Sequence, residues 1–193
     1  MSFINFIVTD KYISAVSDGQ LTNSITNEIV AEDYKKIRKY DNCIIGVTGD
    51  TYVTQAIFDG FTNYENITLN NAYKSFVNMA EEYKNYKDPL DKLISATIMI
   101  AGFQNNEGKI FSIQIENSSI IYSSSTSNTY GTSYPPDFIK HTKDIVYDRL
   151  KFNSKERIYL KVAKQAQIDS LLEVSQSSKT VNDTIFHEVL FHP

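Results

Sequence analysis

Cysteine and glycine are both scarce in this sequence, and each scarcity excludes a class of site. Only one of the 193 residues is a cysteine, Cys43, and only seven are glycines. A single cysteine excludes an intrachain disulfide and any zinc site built from several cysteines. Cys43 lies in the apolar run 43–47, so we expect it to be a small buried hydrophobic residue. The sequence also has no Gly-Lys-Ser or Gly-Lys-Thr loop, which argues against a nucleotide phosphate site.

Long hydrophobic runs and an excess of positive charge are also missing. No segment approaches the roughly 18–20 apolar residues of a membrane span, and no basic start of a signal peptide precedes Asp10 and Lys11. We therefore expect a cytoplasmic chain with no membrane partner. The formal net charge of −4 gives no basic surface for nucleic acid. The histidines are isolated, and His187 has no second histidine four residues on, so we expect no metal and no cofactor.

The remaining pattern predicts a single α+β domain over residues 1–193. A content of 41% hydrophobic and 22% charged residues is ordinary for a globular protein, and a chain of this length can bury a full core. Alternating hydrophobicity, helical spacing and turn residues predict strand pairs at 3–16, 33–48 and 96–116, helices starting near 50, 71, 137 and 153, and a last strand at 184–191. The polar run 123–127 is typical of a loop. This order fits two mostly antiparallel sheets packed face to face with helix layers outside.

Ser2, Asp18 and Lys36 together predict a catalytic group. Removal of Met1 would leave Ser2 with a free α-amine, whose ordinary pKa of about 7.7–8.0 lets it act as general base for its own hydroxyl. An ion pair between Asp18 and Lys36 would position this amine, and the lysine charge would favour its neutral form. This logic is that of an N-terminal nucleophile (Ntn) hydrolase, and it predicts an amidase or a peptidase.

The segment 17–39 carries a specific motif around these residues. It contains Ser-Asp-Gly-Gln at 17–20, a threonine at Thr22 and Lys-Lys-Ile at 35–37, followed by an apolar strand that ends at Gly49. This order resembles HslV peptidases and, more distantly, proteasome β-subunits. The hairpin 96–113 and the turn 130–133 are similar to later elements of these families, so the resemblance covers residues 2–135 in order.

The resemblance implies a four-layer αββα sandwich and assigns further site residues. It implies that the backbone N–H of Gly49 helps to bind the oxyanion and that Thr132 replaces a serine bonded to the catalytic lysine or N-terminus. It implies that the backbone of Thr22 pairs with an extended substrate. Alignment on Gly49 places Val47 at the S1 pocket, which predicts cleavage after apolar residues.

The resemblance also implies an assembly and a class of substrate. Members of these families form homo-oligomeric rings or spirals, degrade peptides or unfolded proteins, and receive chains from an ATPase unfoldase. They usually carry threonine where this chain has Ser2, and their Asp-x-x-Ser element before the last strand is not recognisable, although the segment 175–178 offers hydroxyls. Two alternatives to a peptidase stay open. One is a catalytically inactive assembly protein of the same fold that retains Met1, and the other is an Ntn amidase for small molecules.

Overall fold

The structure is a computed structural model that describes most of the chain. The described ranges are 2–23, 25–26, 28–60, 67–88, 90–138, 145–150 and 158–193. Met1, His141, Asn153 and Glu156 therefore lie outside the described residues. The expectations that concern them, including the start of a helix near residue 153, keep the status of predictions.

The described residues form eleven strands and four helices. The strands are β1 (Ile4–Val8), β2 (Tyr12–Asp18), β3 (Leu21–Thr22), β4 (Ile29–Ala31), β5 (Ile37–Lys39), β6 (Cys43–Gly49), β7 (Ala96–Gln104), β8 (Glu107–Glu116), β9 (Ser119–Thr126), β10 (Thr129–Ser133) and β11 (Ile185–Phe191). The helices are α1 (Thr51–Gly60), α2 (Leu69–Tyr83), α3 (Ile145–Leu150) and α4 (Leu160–Ser175).

Two antiparallel sheets contain most of these strands. One sheet has four strands in the order β10-β1-β2-β11, and the other has five in the order β5-β6-β7-β8-β9. The short strands β3 and β4 form a separate hairpin. Every named pair is antiparallel, as the sequence pattern predicts for a mixed α+β chain.

Three clusters of buried side chains hold the sheets and helices together. The alternation along β1 explains why this strand is buried throughout: Ile4 and Phe6 face the second sheet, whereas Ile7 and the preceding residue Phe3 pack with residues of α3 and α4. The cluster between the sheets includes Ile44 from the five-stranded sheet. The outer face of that sheet packs against α1 and α2. Buried side chains therefore lie on both faces of each sheet.

Two tight turns connect β7, β8 and β9, and the second places a strand where the sequence predicts a loop. Asn105 and Asn106 join β7 to β8 with φ values of 53° and 64°, and Asn117 and Ser118 join β8 to β9 with 49° and 59°. Asparagine tolerates this left-handed backbone, which two-residue hairpin turns require. The second turn returns the chain along β8, so the run 123–127 lies mostly in β9 and is not the predicted loop.

The ends of several elements also differ from the sequence prediction. The strand expected over 33–40 contains only β5, Ile37–Lys39. The helix expected to start near 137 does not begin there: residues 137–138 are not helical, and α3 covers Ile145–Leu150. The helix α4 begins at Leu160 with Tyr159 as its N-cap residue. The sequence does not predict the hairpin β3–β4, and residues 130–133, expected to form a turn, belong to the strand β10. Strands of two to five residues with polar members give little alternation. None of the helices in the described ranges has the length and hydropathy needed to cross a bilayer.

The close approach of the two sheets predicts that Gly46 tolerates no larger residue. A Cβ atom at this position would lie 2.9 Å from Cε2 of Phe6 and 3.2 Å from Cγ2 of Ile4. We expect Gly46→Ala to lower the free energy of unfolding by about 1–3 kcal/mol, the usual cost of overpacking a core. Gly60→Ala is the matched control, because the nearest atom to its new Cβ would be Cε of Met79 at 4.0 Å. Chemical denaturation of both variants tests this, and equal stabilities would contradict it.

Candidate active site

A buried ion pair joins the two sheets at the N-terminal end of β1. Lys36 directly precedes β5 of the five-stranded sheet, and Asp18 ends β2 of the four-stranded sheet. The Nζ of Lys36 donates to Oδ2 of Asp18 at 2.5 Å, and the two side chains are only 2% and 0% exposed. Sequence spacing predicts this pair, and the structure brings the two residues together.

The carboxylate of Asp18 also fixes the backbone that follows Ser2. Its Oδ1 accepts the N–H of Phe3 at 2.9 Å, and its Oδ2 accepts the N–H of Gln20 at 3.0 Å. The N–H of Asp18 in turn donates to the carbonyl of Phe3 at 3.3 Å. Because the N–H of Phe3 belongs to the peptide bond with Ser2, the ion pair lies one peptide unit from Ser2. The side chain of Ser2 is itself buried.

Burial and pairing act in opposite directions on the two charges. Burial raises the pKa of Asp18, while the charge of Lys36 and the hydrogen bonds from Lys36, Phe3 and Gln20 lower it. Burial likewise lowers the pKa of Lys36, while the charge of Asp18 and their hydrogen bond raise it. Each group therefore depends on the other to stay ionised, because an unpaired charge at this depth would carry a large desolvation penalty.

Gly49 ends β6 in a conformation that only glycine adopts easily. Its φ is +124°, and an added Cβ would lie 2.2 Å from the carbonyl oxygen of Ser95. The next N–H, from Asp50, donates to the same oxygen at 2.8 Å. Close backbone contact therefore requires glycine at this position. Its role at an oxyanion stays a prediction.

The hydroxyl of Thr132 is directed away from the space between the sheets. The Nδ2 of Asn5 donates to Oγ1 of Thr132 at 2.8 Å, and Oδ1 of Asn5 accepts from Gln167 of α4 at 2.7 Å. The neighbouring Ser133 instead lies opposite Ile4 in the register, and Ile4 faces the second sheet. Ser133 is thus the hydroxyl residue of β10 on the face that is directed toward the second sheet.

Ser133 makes a second polar link between the sheets. Its Oγ lies 3.0 Å from Oγ1 of Thr48, the residue before Gly49. This link is close to the ion pair because Thr48 follows Val47, whose N–H donates to the carbonyl of Lys36 on the neighbouring segment at 3.0 Å. Sequence reasoning missed Thr48 and Ser133, since the motif points to the adjacent threonine and only the strand register decides which residue faces inward.

The two predicted substrate-binding residues have different positions. Thr22 lies in β3, half-buried, and its carbonyl accepts the hydroxyl of Thr51 at 3.2 Å. Its own hydroxyl accepts from Nε2 of Gln20 at 3.1 Å. Val47 is 0% exposed and packs in the cluster under α1 and α2. The structure therefore leaves no surface of Val47 for a substrate side chain, and we do not assign the S1 pocket to it.

An Asp–Ser contact lies in the loop that follows α4, near Gln20. The hydroxyl of Ser178 donates to Oδ1 of Asp137 at 2.8 Å, and the N–H of Lys179 donates to Oδ2 at 3.0 Å. The Nε2 of Gln20 donates to the carbonyl of Lys179 at 2.8 Å, which ties this loop to the backbone beside Asp18. The sequence analysis identifies hydroxyls at 175–178 but no partner for them, because Asp137 is 41 residues away from Ser178.

The other candidates from the sequence do not form a site. Among the described residues, no three His, Cys, Asp or Glu side chains are placed to hold a metal ion. His187 contacts the hydroxyl of Ser14 at 2.9 Å, and burial together with Lys164 lowers its pKa. Cys43 is buried, as expected, and burial raises the pKa of its thiol to about 12.

The buried ion pair predicts an asymmetric response to substitution. Lys36→Met leaves the Asp18 carboxylate buried without its cation, so we expect a loss of about 3–5 kcal/mol in the free energy of unfolding. Lys35→Met is the matched control: Lys35 pairs with Glu188 at the surface, and such pairs contribute about 0–1 kcal/mol. Adding Asp18→Asn to Lys36→Met should recover part of the loss. Equal denaturation midpoints for the two single variants would refute the pairing.

Comparisons with known proteins test the overall fold. No protein-family model matches the sequence, and neither does any curated protein sequence. Among solved structures, HslV from Trypanosoma brucei matches with 15% identity and a TM-score of 0.55, covering 98% of this chain and 99% of that one. Anbu, the ancestral β-subunit from Yersinia bercovieri, matches with 16% identity and a TM-score of 0.67, covering 99% and 82%. The chain therefore has the proteasome-like Ntn-hydrolase fold of HslV and Anbu, which confirms, for the fold, the resemblance that the sequence motif predicts.

Proposed function

We propose that this chain is an N-terminal-serine peptidase of the HslV–proteasome class. One observation carries the proposal: the carboxylate that holds the buried Lys36 also holds the peptide unit next to Ser2. A buried ion pair is weak evidence for stability as such. Its position beside the residue that would carry the nucleophile gives it a chemical use.

In the proposed reaction Ser2 supplies both the nucleophile and the base. After removal of Met1, the free α-amine takes the proton of the Ser2 hydroxyl as Oγ attacks the carbonyl carbon of the substrate. The tetrahedral intermediate collapses to an ester on Oγ, and the amine returns the proton to the leaving nitrogen. Water, deprotonated by the same amine, then hydrolyses the ester and restores the hydroxyl.

Lys36 and Asp18 have supporting roles in this scheme. The cation of Lys36 near the α-amine lowers the pKa of that amine, which keeps it neutral and able to accept a proton. Asp18 keeps Lys36 charged and fixes the direction of β1 through the N–H of Phe3. Both are positioning residues, and the bonds that form and break are those of Ser2 and the substrate.

The developing oxyanion requires hydrogen-bond donors at the same end of the sheets. We assign one of them to the backbone N–H of Gly49, an interaction of the kind worth about 2.7–4 kcal/mol in other hydrolases. We assign the supporting hydroxyl to Ser133 in place of Thr132, because Ser133 is on the inward face. The backbone of Thr22 is the proposed edge for an extended substrate, on the side of β3 opposite to its partner β4.

We extend the proposal to the architecture and the assembly. The three core clusters support one domain built as a four-layer αββα sandwich. The likeness in fold to HslV and Anbu supports a homo-oligomer, either a ring or a spiral, that acts on peptides or unfolded proteins in the cytoplasm. An ATPase unfoldase is the partner that such a chamber would need.

A second candidate function is a catalytically inactive assembly protein that retains Met1. The burial of Ser2, which is only 6% exposed, favours this reading because a nucleophile must reach its substrate. Mass measurement of the intact protein from cells separates the two candidates. Loss of Met1 supports the peptidase, and complete retention supports the inactive protein, since an acylated α-amine cannot act as a base.

The peptidase proposal predicts that activity depends on the hydroxyl at position 2. We expect Ser2→Ala to lower the cleavage of an unfolded, dye-labelled protein by more than about 1,000-fold, as removal of a nucleophile does elsewhere. Ser2→Thr is the matched control, because it restores the hydroxyl and should keep substantial turnover. Both variants should unfold at the same temperature as the parent. Undiminished cleavage by folded Ser2→Ala would exclude Ser2 as the nucleophile.

The register of β10 makes a second prediction, about two adjacent residues. Ser133→Ala should lower kcat about tenfold with little change in KM, the kinetic equivalent of losing a hydrogen bond worth about 1.4 kcal/mol. Thr132→Val removes a hydroxyl of the same kind one residue away, but that hydroxyl bonds to Asn5 on the far face of the sheet. Thr132→Val should lower the free energy of unfolding and leave kcat within about twofold of the parent value. A larger fall in kcat for Thr132→Val would return the assignment to Thr132.

A further inference from the structure

A stretch of the sequence without any charged residue contains two end strands. Residues 117–136 contain no Asp, Glu, Lys, Arg or His, in a chain of which 22% of the residues are Asp, Glu, Lys or Arg. This stretch supplies both β9 and β10. Each is the last strand of its sheet, so the uncharged stretch supplies the end strand of both sheets.

The strand β9 is an open edge in the described part of the structure. It pairs with β8 from Ser119 to Thr126 without a register shift, and no other described strand pairs with its second edge. In an antiparallel strand every second residue directs its N–H and C=O away from a given neighbour, so β9 presents a row of unused backbone groups. Its side chains are mostly exposed, including Ile121 at 57%.

This edge has none of the features that usually protect an edge strand. Proteins prevent pairing at such edges with charged side chains, proline, a bulge or a very short strand. The eight residues of β9 include no charge and no proline, and the strand is not bulged. A long unprotected edge is a template for another strand, which indicates that this edge is covered in the assembled protein.

We propose that β9 pairs antiparallel with β9 of a second copy of this chain, so that two five-stranded sheets become one continuous sheet. In a two-fold contact every side chain meets residues of the same strand, so a charge at the axis would meet its own copy. An uncharged strand satisfies this condition. A register centred on Ile121 places the two exposed isoleucines opposite each other, where such pairs stabilise a sheet.

A second copy fits this surface better than an extended peptide does. The uncharged stretch supplies the end strands of both sheets, whereas one added peptide strand would cover one edge only. Tyr122 is already bonded to Glu81 of α2 at 3.2 Å, so its side chain is held to its own chain and does not form a pocket for a guest residue. This contact is separate from the peptidase proposal, because its readouts are mass and cross-linking and not turnover.

A charge placed on the edge tests the contact. The parent protein should elute at a mass at least twice the 22.0 kDa of one chain. Ile121→Lys would put two like charges opposite each other at the two-fold axis and should weaken the pairing more than about tenfold, giving a lower mass at low micromolar concentration. Asn70→Lys adds the same charge on the exposed side of α2 and should leave the mass unchanged.

Cross-linking gives a second readout that does not depend on the stability of the variants. Cys43 is 0% exposed, so an introduced cysteine would be the accessible thiol in the folded chain. Ile121→Cys should give a covalent dimer with a short bis-maleimide, whereas Asn70→Cys should stay at the mass of one chain. A parent protein of single-chain mass, an unchanged mass for Ile121→Lys, or equal cross-linking of both cysteine variants would overturn the proposal. Protection of β9 amides from hydrogen exchange only when an unfolded polypeptide is added would also overturn it, in favour of a peptide.

Discussion

The ion pair between Lys36 and Asp18 is the contact on which the geometry of this end of the molecule depends. It connects the two sheets, because Lys36 precedes a strand of one and Asp18 ends a strand of the other. The same carboxylate holds the backbone at Phe3 and at Gln20. Two elements that pack mainly through apolar side chains are thereby fixed at one point by directional bonds, which aliphatic contacts alone do not provide.

The surrounding residues follow from this fixed point. Gly46 lets β6 approach Phe6 closely, and the link between Thr48 and Ser133 ties the sheets a second time near the start of β1. The inter-sheet space therefore ends in a polar corner next to Ser2. Removing the cation would leave the Asp18 carboxylate buried without its ion partner, which is why chemistry and stability are coupled here. The double variant of Lys36→Met with Asp18→Asn and the control Lys35→Met separate the two effects.

The sequence predicts the main hairpins and the first two helices, because these depend on local spacing and alternation. The motif around Asp18 and Lys36 predicts their pairing, since both residue types and their order are specified. Strand register, in contrast, cannot be predicted from a local motif. A shift of one residue moves a side chain to the other face, and this separates Thr132 from Ser133. β9 was also missed, because a serine-rich strand gives no hydrophobic period and is held in place by the turn at Asn117.

A shared fold does not decide between a peptidase and a silent assembly protein, because one scaffold supports both. The most direct measurement is therefore chemical. The intact, Met1-free protein is treated with a β-lactone, an electrophile that acylates an activated hydroxyl, and the added mass is located by peptide mass spectrometry. The account predicts one ester adduct per chain, on Ser2, and its loss when the protein is unfolded before treatment. No adduct on Ser2, in protein whose N-terminal serine has been verified, would contradict it.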